Sequence, residues 1–142
     1  MKYFILLLFS TLSFQMCNNK VPVKLISATS QSWAAGTQRG GTGIDYSITV
    51  ESTTDKPVSF STLYVNGFIL EVLAKPKEKD VTKNDKGVAY HVISQERSAK
   101  TYAKASLPIA SEAKAVLALK SDGVTYYLEI PNFKKLPHNP MP

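Results

Sequence analysis

Residues 44–51 alternate without an error. Ile44, Tyr46, Ile48 and Val50 fall on one side of an extended chain, and Asp45, Ser47, Thr49 and Glu51 on the other. Successive side chains of a strand point to opposite faces, so the stretch predicts a strand with one face on a core and one in water. Turn chemistry recurs at short intervals around it. Glycines stand at 36, 40, 41 and 43, and Asp55-Lys56-Pro57, Asn66-Gly67, Pro76, Asn84-Asp85-Lys86-Gly87, Pro108, Asp122-Gly123 and Pro131 follow. Between them lie short runs rich in β-branched and aromatic residues, the pattern of a sandwich or barrel.

Two hairpins can be set in register from the sequence. Asn66-Gly67 suits a two-residue turn with positive φ at both positions. It pairs Val65 with Phe68, Leu63 with Leu70 and Ser61 with Val72 on one face, and leaves Thr62 opposite Glu71 on the other. Asp122-Gly123 makes a second hairpin, pairing Leu119 with Tyr126, Leu117 with Leu128 and Ala115 with Ile130. A three-residue loop there would set Leu119 against Thr125 and break the apolar face. The two-residue turn is therefore preferred. Further strands are expected near residues 23–31 and 88–94. Within residues 95–113, Ser98 to Ala105 has fair helix propensity but no amphipathic stripe, and the stretch is read as a loop holding at most a short turn or strand.

About seven strands predict an all-β fold: a single antiparallel β-sandwich of immunoglobulin-like or fibronectin-like architecture. The Cys–Trp–Cys set of antibody domains is absent, so the likeness is one of architecture. The chain has 142 residues, 44% hydrophobic and 20% charged. That suits one globular domain and argues against disorder. The division expected is a signal peptide over residues 1–16, a tether over 17–22, a β-sandwich domain over 23–136 and a C-terminal tail over 137–142.

The start of the chain has a different character. Lys2 precedes an apolar run, Tyr3 to Phe9, and polarity rises through Ser10, Thr11 and Ser13 before Cys17 and Asn18-Asn19-Lys20. One positive charge and a short apolar run form the layout of a secretory signal. The run is shorter than the roughly 20 apolar residues that a membrane-crossing helix needs. The segment resembles the signal of bacterial lipoproteins, whose cysteine after the apolar run is acylated and becomes the mature N-terminus. Phe14-Gln15-Met16 stand where that family has Leu, a small residue, and Gly or Ala. The resemblance implies lipid attachment at Cys17, in an exported protein held at the outer membrane or on the periplasmic side of a membrane. Ordinary cleavage near Thr11-Leu12-Ser13 is the other reading, and gives a soluble secreted or periplasmic protein. A lone cysteine in an exported chain forms no internal disulfide, and acylation supplies it with a role.

Motifs of catalysis are missing. The run from Gly36 to Gly43 lacks the Lys and Ser or Thr that a phosphate loop places after its last glycine, and Tyr46 stands where a dinucleotide fingerprint has its third glycine. It is read as a loop between strands, with Trp33 packed beneath it. His91 and His138 are the only histidines, and neither has metal-ligand spacing. No G-x-S-x-G elbow presents a serine. The net charge of +6 comes almost wholly from lysine, with Arg39 and Arg97 the only arginines. Lysine is a hydrated point charge poorly suited to bidentate phosphate recognition, so nucleic acid is not an expected partner. Lys75, Lys77, Lys79, Lys83 and Lys86 are interspersed with acids and read as a solvated loop. Tyr127 is a candidate contact residue, because its neighbour Tyr126 takes the inward face.

The expectation is a membrane-tethered binding or structural module of the cell envelope, non-enzymatic and without cofactor or metal. Its partners would be a lipid membrane, reached through acylated Cys17, and a protein. Two other classes stay open: an accessory subunit of an envelope complex, and an envelope hydrolase whose site has no familiar motif.

Overall fold

A computed structural model describes residues 20–36, 40–77, 87–98 and 100–141. Cys17, Arg39 and most of the lysine-rich loop lie outside the described residues. Among those described there are strands and turns but no helix: β1 (Val23–Ala35), β2 (Thr42–Ser52), β3 (Val58–Val65), β4 (Phe68–Glu71), β5 (Leu73–Pro76), β6 (Ala89–Arg97), β7 (Ala115–Ser121), β8 (Val124–Ile130), β9 (Lys134–Lys135) and β10 (Asn139–Met141). They form two sheets, β10-β1-β2-β6-β5 with β9 also on β1, and β4-β3-β7-β8. The sandwich is all-β, as expected. Its main strands follow the immunoglobulin order, with β1-β2-β6-β5 in the places of A-B-E-D and β4-β3-β7-β8 in those of C′-C-F-G. The strands beyond the expected seven are β5, set off from β4 where the chain changes sheets, and the short parallel strands β9 and β10.

Both predicted turns form. Asn66 and Gly67 have φ of 53° and 76°, and Asp122 and Gly123 have 53° and 75°. The second hairpin has the expected register throughout, with Leu119 opposite Tyr126, Leu117 opposite Leu128 and Ala115 opposite Ile130. The first runs Val65–Phe68, Leu63–Leu70 and Thr62–Glu71 and stops there. The expected Ser61–Val72 pair is not made. Ser61 is the extra residue of a β-bulge, since β7 pairs with Phe60 and then with Thr62, and Val72 already lies in the crossing to β5.

That bulge has a physical purpose. Val58 and Phe60 are even-numbered, Leu63 and Val65 odd, and a regular strand would send the two pairs to opposite faces. One inserted residue restores the phase, and all four join the core cluster. β1 repeats the device. Leu25 opposes Val50 and Ser27 opposes Thr49, which leaves Ile26 unpaired and 51% exposed.

The core lies between the sheets. Tyr46, Ile48, Val50 and Val92 from one side meet Leu63, Val65, Leu70, Leu117, Leu119 and Ile130 from the other. Complete burial of side chains this size is worth roughly 1.5–3 kcal/mol each before entropy is counted. Phe60 packs on Tyr90 with ring centroids 5.6 Å apart, and Phe133 packs on Tyr46 at 5.2 Å. Phe133 thereby fastens the chain after β8 to the core, and β9 and β10 continue from it along the edge of β1. The central strand β7 is buried on both faces from Ala115 to Leu119. Leu117 and Leu119 face the core, while Val116 and Ala118 sit under the opposite face among Tyr64 and Tyr127, their cross-strand neighbours. Tyr127 is half-buried there.

Candidate functional site

The sandwich has two ends, and they differ in chemistry. At the end where β1 begins, Thr53 N–H donates to Pro22 O at 2.9 Å, tying the segment before β1 to the β2–β3 connection. Lys56 pairs with Asp122 at 2.7 Å. Both partners are more than half exposed, so the pair adds little stability. Each holds the other charged: Asp122 lowers its affinity for a proton and Lys56 raises its own, chiefly through their mutual hydrogen bond.

The opposite end carries the aromatic and cationic side chains. Trp33 is buried, although it lies on the outer face of its sheet, because its indole packs closely on Gly43. A Cβ at residue 43 would come within 2.4 Å of the ring and 2.5 Å of Glu96 O. The glycine is there for that contact, not for a turn. Trp33 Nε1–H donates to Asp45 Oδ1 at 3.2 Å and Gln95 Nε2–H to the same oxygen at 2.7 Å. Arg97 Nε–H in turn donates to Gln95 Oε1 at 2.6 Å. A chain of four polar groups thus crosses β1, β2 and β6 and fixes the Arg97 side chain.

Beside it stands Tyr102. Its hydroxyl accepts from Arg97 N–H at 2.7 Å and donates to Gln95 O at 3.2 Å. One side chain therefore satisfies two backbone groups on the β6 edge, past the point where β5 leaves. The Tyr102 ring packs against Phe68 at 6.3 Å, and Lys100 Nζ lies 5.6 Å from its centroid. Arg97, Lys100, Lys104, Tyr102, Phe68 and Trp33 line an open cleft of about 600 Å³. Its cations and aromatic faces suit a ligand with anionic groups and a flat or apolar surface.

Behind the cleft, at this end of the core, Tyr46 O–H donates to Glu96 Oε2 at 3.0 Å and accepts from Asn66 Nδ2–H at 3.0 Å. Burial first, and the Glu96 carboxylate second, push the ionisation of Tyr46 far above the usual tyrosine range. The network ties β2 and β6 to the β3–β4 turn across the sandwich.

The histidines are not brought together. His138 Nδ1 is 3.1 Å from Ser32 Oγ, on the segment joining β9 to β10. His91 Nε2 is 2.6 Å from Ser47 Oγ on the outer face of β2 and β6. That is within reach for a nucleophile and its base. Yet no described carboxylate bonds the other nitrogen of His91, and both groups lie on an open sheet face. Among the described residues no three His, Cys, Asp or Glu side chains cluster. Of the residues singled out in the sequence, Trp33 joins the cleft, while Tyr127 lies on the other sheet. Tyr102, Lys100 and Lys104 were missed, because they fall in a stretch whose sequence has no period. No protein-family model, curated protein or solved structure matches the chain.

Trp33 is the sole tryptophan, so its environment can be read directly. Gly43→Ala is expected to displace the indole, shift its fluorescence to the red and cost about 1–3 kcal/mol through overpacking. An unchanged emission maximum would contradict the contact. The Tyr46 network makes a second prediction. An unfolded chain ionises its tyrosines from about pH 10 upward, while folded Tyr46 keeps its proton. Its contribution to stability is thus complete below that pH and lost as the pH rises above it. Tyr90, whose ionisation is raised by burial, contributes with the same sign. Urea midpoints measured between pH 8 and 11 should fall less steeply in Tyr46→Phe than in wild type. Equal slopes would refute the assignment.

Proposed function

We propose that this chain is a lipid-anchored binding module of the cell envelope, held at the membrane through acylated Cys17 and binding its partner at the opposite end. The observation that carries the reading is the polarity of the sandwich. Lys20 to Pro22 leave it beside the turns at 53–57 and 121–123, only three residues after Cys17. Trp33 lies ten residues along β1 from Val23, about 33 Å away at the rise of an extended strand. The cleft of Arg97, Lys100, Tyr102 and Lys104 sits at that far end, the end turned away from a membrane by a short N-terminal tether. The export signal supports the compartment, and the lone cysteine at its end supports the anchor. Function is read here from a site and its placement, since a sandwich architecture hosts many unrelated activities.

The anchor is tested by Cys17→Ser, which should move the protein from the membrane to the soluble fraction or stall its processing. Intact mass of the wild type should show an N-terminal cysteine bearing acyl chains. A free thiol on a chain beginning near Phe14 would overturn the reading.

A further inference from the structure

A sheet edge presents unpaired backbone groups, and natural sandwiches close such edges with short strands, charges, prolines, bulges or covering segments. In this protein three of the four are managed by the chain itself. The edge of β1 carries β9 and β10. The edge of β4 is bonded by residues 103–105, with Ile69 N–H donating to Ala103 O and Ala105 N–H to Gly67 O. On the β6 side, β5 is four residues long and includes Lys75 and Pro76. Beyond it the Tyr102 hydroxyl caps Gln95 and Arg97.

β8 carries a single charge, Glu129, and none of the other devices. It runs seven residues from Val124 to Ile130 in unbroken register with β7, with no proline and no bulge, and its sheet ends on it. Val124, Tyr126, Leu128 and Ile130 bond β7 across a two-residue turn, so the N–H and C=O of Thr125, Tyr127 and Glu129 point outward. Among the described residues no segment pairs with them.

We propose that this edge is the docking site of a second copy of the chain, β8 against β8 in antiparallel register about a two-fold axis at Tyr127. That register uses every outward group, pairing Tyr127 with Tyr127 and Thr125 with Glu129 in both directions. Displaced registers leave some of them unmatched. On the inner face it sets Tyr126 against Leu128, both only partly buried in the single copy. On the outer face Glu129, the one charge of the strand, meets Thr125 rather than another acid. Lys120, which pairs with Thr125 in its own sheet, then flanks the incoming Glu129. The interface is isologous and closes on itself, so it makes a dimer and no fibre. It does not depend on the lipid anchor, but it limits where pairing occurs. The two-fold puts the two copies of Lys20 at opposite ends, so partners stand on facing surfaces or are free in solution.

Sedimentation of the full chain in mild detergent, over a rising concentration series, should show monomer passing to dimer. Hydrogen exchange at the amides of Thr125, Tyr127 and Glu129 should slow in step. Thr125→Glu places like charges opposite each other twice and should weaken the dimer about tenfold. Thr125→Glu with Glu129→Lys reverses one member of each pair and should restore it. Because the rescue is read on association, loss of folding cannot mimic it. A monomer at every concentration would overturn the proposal. So would a dimer indifferent to Thr125→Glu, or protection of the three amides that does not vary with concentration, which would mark a different chain on the edge.

Discussion

The sandwich depends on register in the β4-β3-β7-β8 sheet. Alternate residues of β7 and β8, and of β3 on either side of its bulge, face the core, and a slip of one position would turn Leu63, Val65, Leu117 and Leu119 away from it. Two tight turns prevent the slip. Asn66 and Asp122 both adopt positive φ, and each is followed by a glycine that does the same. Side chains other than Asn, Asp and Gly meet a steric penalty there, so the turns hold their length and the strands leave them in a fixed pairing. β7, paired with both β3 and β8, inherits its register from the two together.

What was legible in the sequence follows from this. Residues 44–51 and the Asp122-Gly123 hairpin are regular, and regular alternation reads directly as a buried and an exposed face. The failures fall at breaks in that regularity. Ser61 and Ile26 are extra residues whose whole effect is to change phase, and one residue carries no periodic signal. Val116 and Ala118 are buried because β7 is central and the opposite face of its sheet is itself half covered. Alternation on the strand alone cannot report that. The short strands β9 and β10 owe their position to β1 and to Phe133 in the core, not to any pattern of their own.

The cleft was harder still to foresee. The sequence places Trp33 beneath the glycine-rich loop, but its setting rests on Gly43, a residue that reads as loop glycine in the sequence and serves as a shelf in the fold. Tyr102 supplies the missing partner for β6 through a single hydroxyl, and Lys100 and Lys104 are carried to the same end by the segment that closes β4. Edge closure and the cleft are thus products of one connection, residues 98–105. A backbone change there that displaces the cleft cations would also loosen the edges of both sheets.

Nuclear Overhauser contacts between α-protons across β7 and β8 measure the register directly, since these protons come close in the non-hydrogen-bonded pairs of an antiparallel ladder. The expected result is strong contacts for Ala118 with Tyr127 and Val116 with Glu129, and none displaced by one residue. Contacts that instead place Leu119 against Thr125 would mean a three-residue turn at this hairpin, and the core described above would not be the one the protein builds.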